Sequence, residues 1–140
     1  MAINTLDKRI VEEGHRNAIV RLTGVLGISD ANWGQAITLT DFVNNDTIAG
    51  RLSGLRVDTI DYACGDALRV GLYWDSASPQ VIALLSQSDV LKAKKAGGLL
   101  PDQTLSAYTG SINLVTSGYP AGTTQGFTIL LYMVKLYTQQ

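Results

Sequence analysis

Residues 127–137 read Phe-Thr-Ile-Leu-Leu-Tyr-Met-Val-Lys-Leu-Tyr, an almost unbroken apolar run near the end of the chain. Taken with the two-residue period of a strand, one face carries Phe127, Ile129, Leu131, Met133 and Tyr137, and the other carries Leu130, Tyr132, Val134 and Leu136. Both faces are apolar. Such a strand is either central to a packed sheet or has one face in its own core and the other against a second chain. A buried helix is the local competitor, but the density of Thr, Ile, Phe, Tyr and Val favours a strand, and the glycine-rich residues 118–126 before it make poor helix.

The charge count sharpens the choice. Only 16% of the 140 residues are charged while 46% are apolar, against about 25% charged in an average soluble chain. A small domain of this composition has trouble covering its own surface, which predicts a permanent interface. A net charge of −1 leaves no basic excess to hold a phosphate backbone, so nucleic-acid binding is not expected. No run approaches a membrane helix, and residues 1–8 lack the apolar core of a secretory signal, so the expected product stays in the cytoplasm of the cell that makes it.

The chain has room for one domain, predicted as an N-terminal arm over residues 1–16 and a single β-sandwich over 17–140. In the arm, Ile3, Leu6 and Ile10 share a helical face, but Gly14 and the short length make an isolated helix marginal, so a segment lying on a neighbour, or a frayed tail, competes with it. Strands are expected over 17–26, 35–43, 55–64, 68–74, 80–85, 111–116 and the terminal run. Between 55 and 64 the alternation slips, with Leu55 and Val57 on one parity and Ile60, Tyr62 and Cys64 on the other, which predicts a bulge near Thr59. Gly65-Asp66 reads as a hairpin turn, and residues 90–96 as a helical turn carrying Lys92, Lys94 and Lys95. About eight strands separated by Gly, Pro, Asn and Asp predict an all-β antiparallel sandwich, with a jelly roll first and an immunoglobulin-like or Greek-key arrangement behind it.

Little here suggests chemistry. One histidine, His15, and one cysteine, Cys64, can build neither a metal cluster nor a convincing nucleophile with its base, so no catalytic, metal or cofactor residues are assigned. Asp58, Asp61, Asp66 and Asp75 lie close in sequence and could pair as glycosidase carboxylates, but turn formation explains Asp66 and Asp75. Trp33, Tyr108 and Tyr119 fall in loops, where they either plug the ends of a sandwich, anchor a protein interface or stack on sugars.

The leader Thr5-Leu6-Asp7-Lys8-Arg9-Ile10-Val11-Glu12-Glu13-Gly14-His15-Arg16-Asn17, the strand Arg69-Val70-Gly71-Leu72-Tyr73-Trp74-Asp75 and the glycine-rich approach to a long apolar final strand together resemble the small cement, or decoration, proteins of tailed bacteriophage capsids. The resemblance implies a jelly roll that often trimerises at threefold positions of the shell, grips the major capsid protein with an arm or loop, and carries no active site. It would be found on the virion surface. On that reading Ile3, Leu6, Ile10, Val11, Tyr132, Val134 and Leu136 are the expected interface residues, with Trp33, Tyr108 and Tyr119 as further loop contacts. A carbohydrate-binding or receptor-binding module using Trp33 and Tyr119 is the alternative, and a hydrolase using Asp58 or Asp61 comes third.

Overall fold

A computed structural model describes residues 4–14, 16–42, 46–47, 50–65 and 67–138. Ile3, His15, Val43 and Asp66 lie outside the described residues. Ten strands are seen among those described: β1 (Thr5–Glu13), β2 (Asn17–Leu26), β3 (Asn32–Ile37), β4 (Asp46–Thr47), β5 (Gly50–Cys64), β6 (Arg69–Trp74), β7 (Gln80–Ser86), β8 (Ser88–Lys92), β9 (Ile112–Ser117) and β10 (Gln125–Thr138). They form two antiparallel sheets, and the chain is an all-β sandwich. The first sheet runs β1-β2-β10-β5-β4, with β8 also paired to β5, and the second runs β3-β9-β6-β7.

The terminal run takes the central place that its two apolar faces require. β10 pairs with β2 on one side and with β5 on the other, and Phe127, Ile129, Leu131 and Met133 are buried. They meet Ala18, Val20 and Leu22 of β2, and Leu55, Val57 and Ile60 of β5, within the same core as Val70, Leu72 and Trp74 of β6 and Ile112 and Leu114 of β9. The parity slip in β5 is a real bulge. Opposite Tyr132 and Met133 the register steps from Thr59 to Val57, leaving Asp58 as the extra residue, so Val57 and Ile60 both reach the core.

Glycine sets one point of contact between strands. Gly24 of β2 stands opposite Phe127, whose ring lies over the space where a Cβ would be. Trp33 leans on that ring from the second sheet, with centroids 6.2 Å apart at a tilt of 58°.

Four local expectations give way. Residues 5–13, part of the segment 1–16 expected as a helical turn, an arm lying on a neighbour or a frayed tail, are strand β1, paired to β2 along its length with a bulge between Ile10 and Glu12. Lys8 pairs with Asp41 at 2.6 Å and Asn4 caps the Gly27 and Ile28 amides, so the segment is fastened along much of its length. The hairpin expected between β5 and β6 is not formed: the two strands belong to different sheets, so the chain crosses the sandwich between them. The second predicted strand lies earlier, at Asn32–Ile37, because Asp41 accepts the Thr38 amide and closes a 3-10 turn over Leu39–Asp41. Residues 88–92 extend beside β5 as β8, and only Lys94–Ala96 form a 3-10 turn.

Candidate interaction face

Inward packing of Phe127, Ile129, Leu131 and Met133 turns the alternate residues of β10 out of the sandwich. Leu130, Val134 and Leu136 are half-buried there and Tyr132 is 37% exposed. Pairing then fixes what flanks this column. Leu130 lies between Arg21 on β2 and Asp61 on β5, with Arg9 of β1 beyond Arg21 and Val90 of β8 beyond Asp61. One row along, Tyr132 lies between Ile19 and Thr59, with Glu12 and Lys92 at the two rims. The Asp58 bulge opens a hollow of about 350 Å³ beside Tyr132, walled by Glu12, Thr59 and Lys94.

The electrostatics of this face are unbalanced within one subunit. Arg9 and Arg21 stand directly opposite each other, an arrangement that costs stability between neighbouring strands. Ion pairs among the described residues include Lys8–Asp41, Arg56–Asp58 and Lys135–Glu13, and none of them takes in Arg9, Arg21 or Asp61. The Nε of Arg21 is buried without a hydrogen-bond partner.

A second apolar patch covers the opposite side of the molecule. On the outer face of the second sheet, Gly71 of β6 lets the Tyr73 ring lie flat along the strand, since a Cβ there would meet the ring at 2.7 Å. Beside it Leu84 is 71% exposed and Val81 is 55% exposed, both on β7. Neither residue was picked out in the sequence, where β7 is too short for its alternation to show which side is covered.

The remaining sequence candidates fall as follows. Leu6 and Ile10 of β1 point inward and pack against the core, whereas Val11, displaced by the bulge, is 53% exposed. Trp33 is half-buried against Phe127. Tyr108 is half-buried, its hydroxyl donating to the Ser53 carbonyl at 3.0 Å, and burial pushes its pKa up to about 12. Tyr119 packs against the core and donates to the Thr123 carbonyl. Trp33 and Tyr119 thus pack against the core, and Trp33, expected in a loop, lies on β3.

Of the carboxylates, Asp58 is buried and accepts both Nε and an Nη of Arg56, at 2.8 and 3.1 Å. Asp75 accepts from Thr109 at 2.7 Å, Asn113 at 3.0 Å and Gln35 at 3.2 Å. The Thr109 hydroxyl chiefly, opposed by burial and helped by Asn113 and Gln35, holds its pKa below the usual carboxylate value. Asp61 is exposed. Cys64 is half-buried, and burial raises its pKa, which lowers the thiolate fraction. Among the described residues no group of three or more His, Cys, Asp or Glu is placed to hold a metal ion, and no helix is long and apolar enough to cross a membrane.

No family model matches the chain, and no curated protein does. Among solved structures, the crystal structure of the RrgA Jo.In complex is similar with a TM-score of 0.27 and 16% identity, over 93% of this chain. The chain spans about 60% of the length of that one, and a likeness at this level carries no argument about function.

Proposed function

We propose that the chain is a structural virion protein, a capsid cement or decoration protein that binds the assembled major capsid protein lattice and stabilises it as a homo-oligomer. The observation that carries the reading is the pair of apolar outer faces on opposite sides of one sandwich, with Tyr132 at the centre of one and Leu84 on the other. A bridging protein needs two such surfaces at once, one for its own copies and one for the shell. Large apolar side chains left in water on both sides are otherwise a liability for a lone domain.

The strand order supports the jelly-roll part of the reading. β2-β10-β5-β8 faces β3-β9-β6-β7, the order produced when two Greek keys interleave. Energetically, a protein that binds only the assembled lattice stabilises it by linkage, and several symmetric contacts per oligomer turn weak single contacts into tight ones. The carbohydrate-binding alternative asks Trp33 and Tyr119 to be on display, and both are half-buried.

The test is co-sedimentation of the purified protein with assembled shells and, in parallel, with unassembled capsid protein. Saturable binding to shells and none to free subunits is the expected result. Failure to bind either would remove the proposal.

A further inference from the structure

The face bearing Leu130 and Tyr132 carries a charge pattern that is complementary to itself, and we propose that it joins two copies of this chain about a two-fold axis running along β10. This rests on reading the face as the homo-oligomer contact in the proposed function, but it does not need the capsid.

The argument is geometric. A two-fold axis lying in the face and parallel to β10 keeps each residue at its own height and exchanges the β2 side for the β5 side. Leu130 then meets Leu130 of the partner subunit, and Tyr132 meets Tyr132 of the partner subunit. Arg21, one strand to one side of β10, comes opposite Asp61 of the partner subunit, one strand to the other side. By symmetry the reverse pair forms as well, which is the self-complementarity that an isologous contact demands. One row along, the same operation brings Glu12 opposite Lys92 of the partner subunit, two strands out from the axis.

Two features of the single chain are accounted for. Arg21, which stands opposite the like charge of Arg9 on the neighbouring strand, gains a carboxylate across the interface. Asp61, exposed and in none of the ion pairs described, gains a cation. A pair of this kind, one strand from the axis, sets register and excludes other arrangements more than it adds affinity.

The area is sufficient. Five strands, β1, β2, β10, β5 and β8, run side by side from Thr128 to Tyr132, and β10 and β5 continue to Leu136, so at the usual strand spacing the face is about 600 Å², or about 1,200 Å² removed from water in total. Stable dimers bury about 1,200–2,000 Å². Aligned packing of two such faces about 10 Å apart is the ordinary way for sheets to meet. The threefold that the capsid resemblance implies uses unlike patches on each neighbour, and it does not set Arg21 against Asp61 of the partner subunit by symmetry.

The test is light scattering on the protein alone at micromolar concentration, for the wild type, Arg21→Asp, Asp61→Arg and an equimolar mixture of the two variants, with circular dichroism to confirm folded strands. The wild type should have twice the 15.0 kDa chain mass. Each variant sets like charges against each other twice, and its dimer dissociation constant should rise about tenfold or more. The mixture should recover the dimer, because each variant then offers the charge the other lacks. A wild-type mass of one or three chains, variants that dimerise like the wild type, or a folded mixture that stays monomeric would each overturn the inference. A monomer that still co-sediments with shells would overturn it, and with it the homo-oligomer part of the proposed function, while leaving shell binding standing.

Discussion

The Lys135 ammonium donates to Glu13 Oε2 at 2.7 Å, and the lysine side chain is fully buried. It also lies 5.4 Å from the centre of the Phe42 ring. Lys135 occupies the inward parity of β10, after Phe127, Ile129, Leu131 and Met133, so a cation stands where the pattern calls for another apolar residue. Glu13, the last residue of β1, supplies the opposite charge and ties the first strand to the last.

Removing one member of a buried pair strands the other charge, so Lys135→Met should lower unfolding free energy by about 3–5 kcal/mol. Denaturant melts would read it. Replacing both partners, as in Glu13→Leu with Lys135→Met, should recover most of that loss. A single variant as stable as the wild type would mean that the pair does not hold β1 in place.

Gly24→Val should be destabilising by about 1–3 kcal/mol, because the Phe127 ring has to leave its seat and overpacking has few outlets in a filled core. Thermal unfolding measures this directly. The companion change Phe127→Leu, which vacates part of that space, should soften the effect of Gly24→Val.

Much of the sandwich is legible in the sequence, and the failures have physical causes. β2 and β6 alternate in sequence because each has one face in the core, β10 reads as central because both of its faces are apolar, and the parity change between Val57 and Ile60 points to a bulge that falls at Asp58. β1 defeats the same test. Its inward face mixes Leu6 and Ile10 with Lys8 and Glu13, charges made tolerable by Asp41 and Lys135 at distant positions in the chain. β8 lies at a sheet edge with all five residues exposed, so it leaves no apolar alternation. Alternation also cannot say which sheet a strand joins, which is why residues 65–66 read as a hairpin. Of the candidate face, the apolar column on β10 was visible in the sequence. The Arg21, Asp61 and Arg9 fringe depends on strand order, and the Leu84 patch depends on which side of β7 is covered.

Asp75 makes stability fall in acid. Its folded-state pKa is held below the unfolded value, so its contribution is present above the unfolded pKa, about 3.9, and is lost as pH falls through the folded one. Melting temperature should therefore drop below about pH 4 in the wild type, and Asp75→Asn should flatten part of that slope while lowering stability at neutral pH. Tyr108 acts at the other extreme. With its pKa pushed up to about 12, its contribution is complete below the unfolded value of about 10 and lost as pH rises through 12, and Tyr108→Phe should remove that alkaline phase.

Leu84→Asp places a charge in the middle of the second apolar patch without touching the core, as Leu84 is 71% exposed. Shell binding should weaken at least tenfold, while the mass of the free oligomer stays the same. A matched loss of both would mean that β7 faces a sister subunit.

The central claim is that this protein stabilises a shell by binding its assembled form, and the most direct measurement is the temperature at which purified shells lacking the protein break open as it is added back. The account predicts that this temperature rises with concentration and levels off once a fixed number of copies per shell is bound. A disruption temperature that does not move at saturating protein would contradict it.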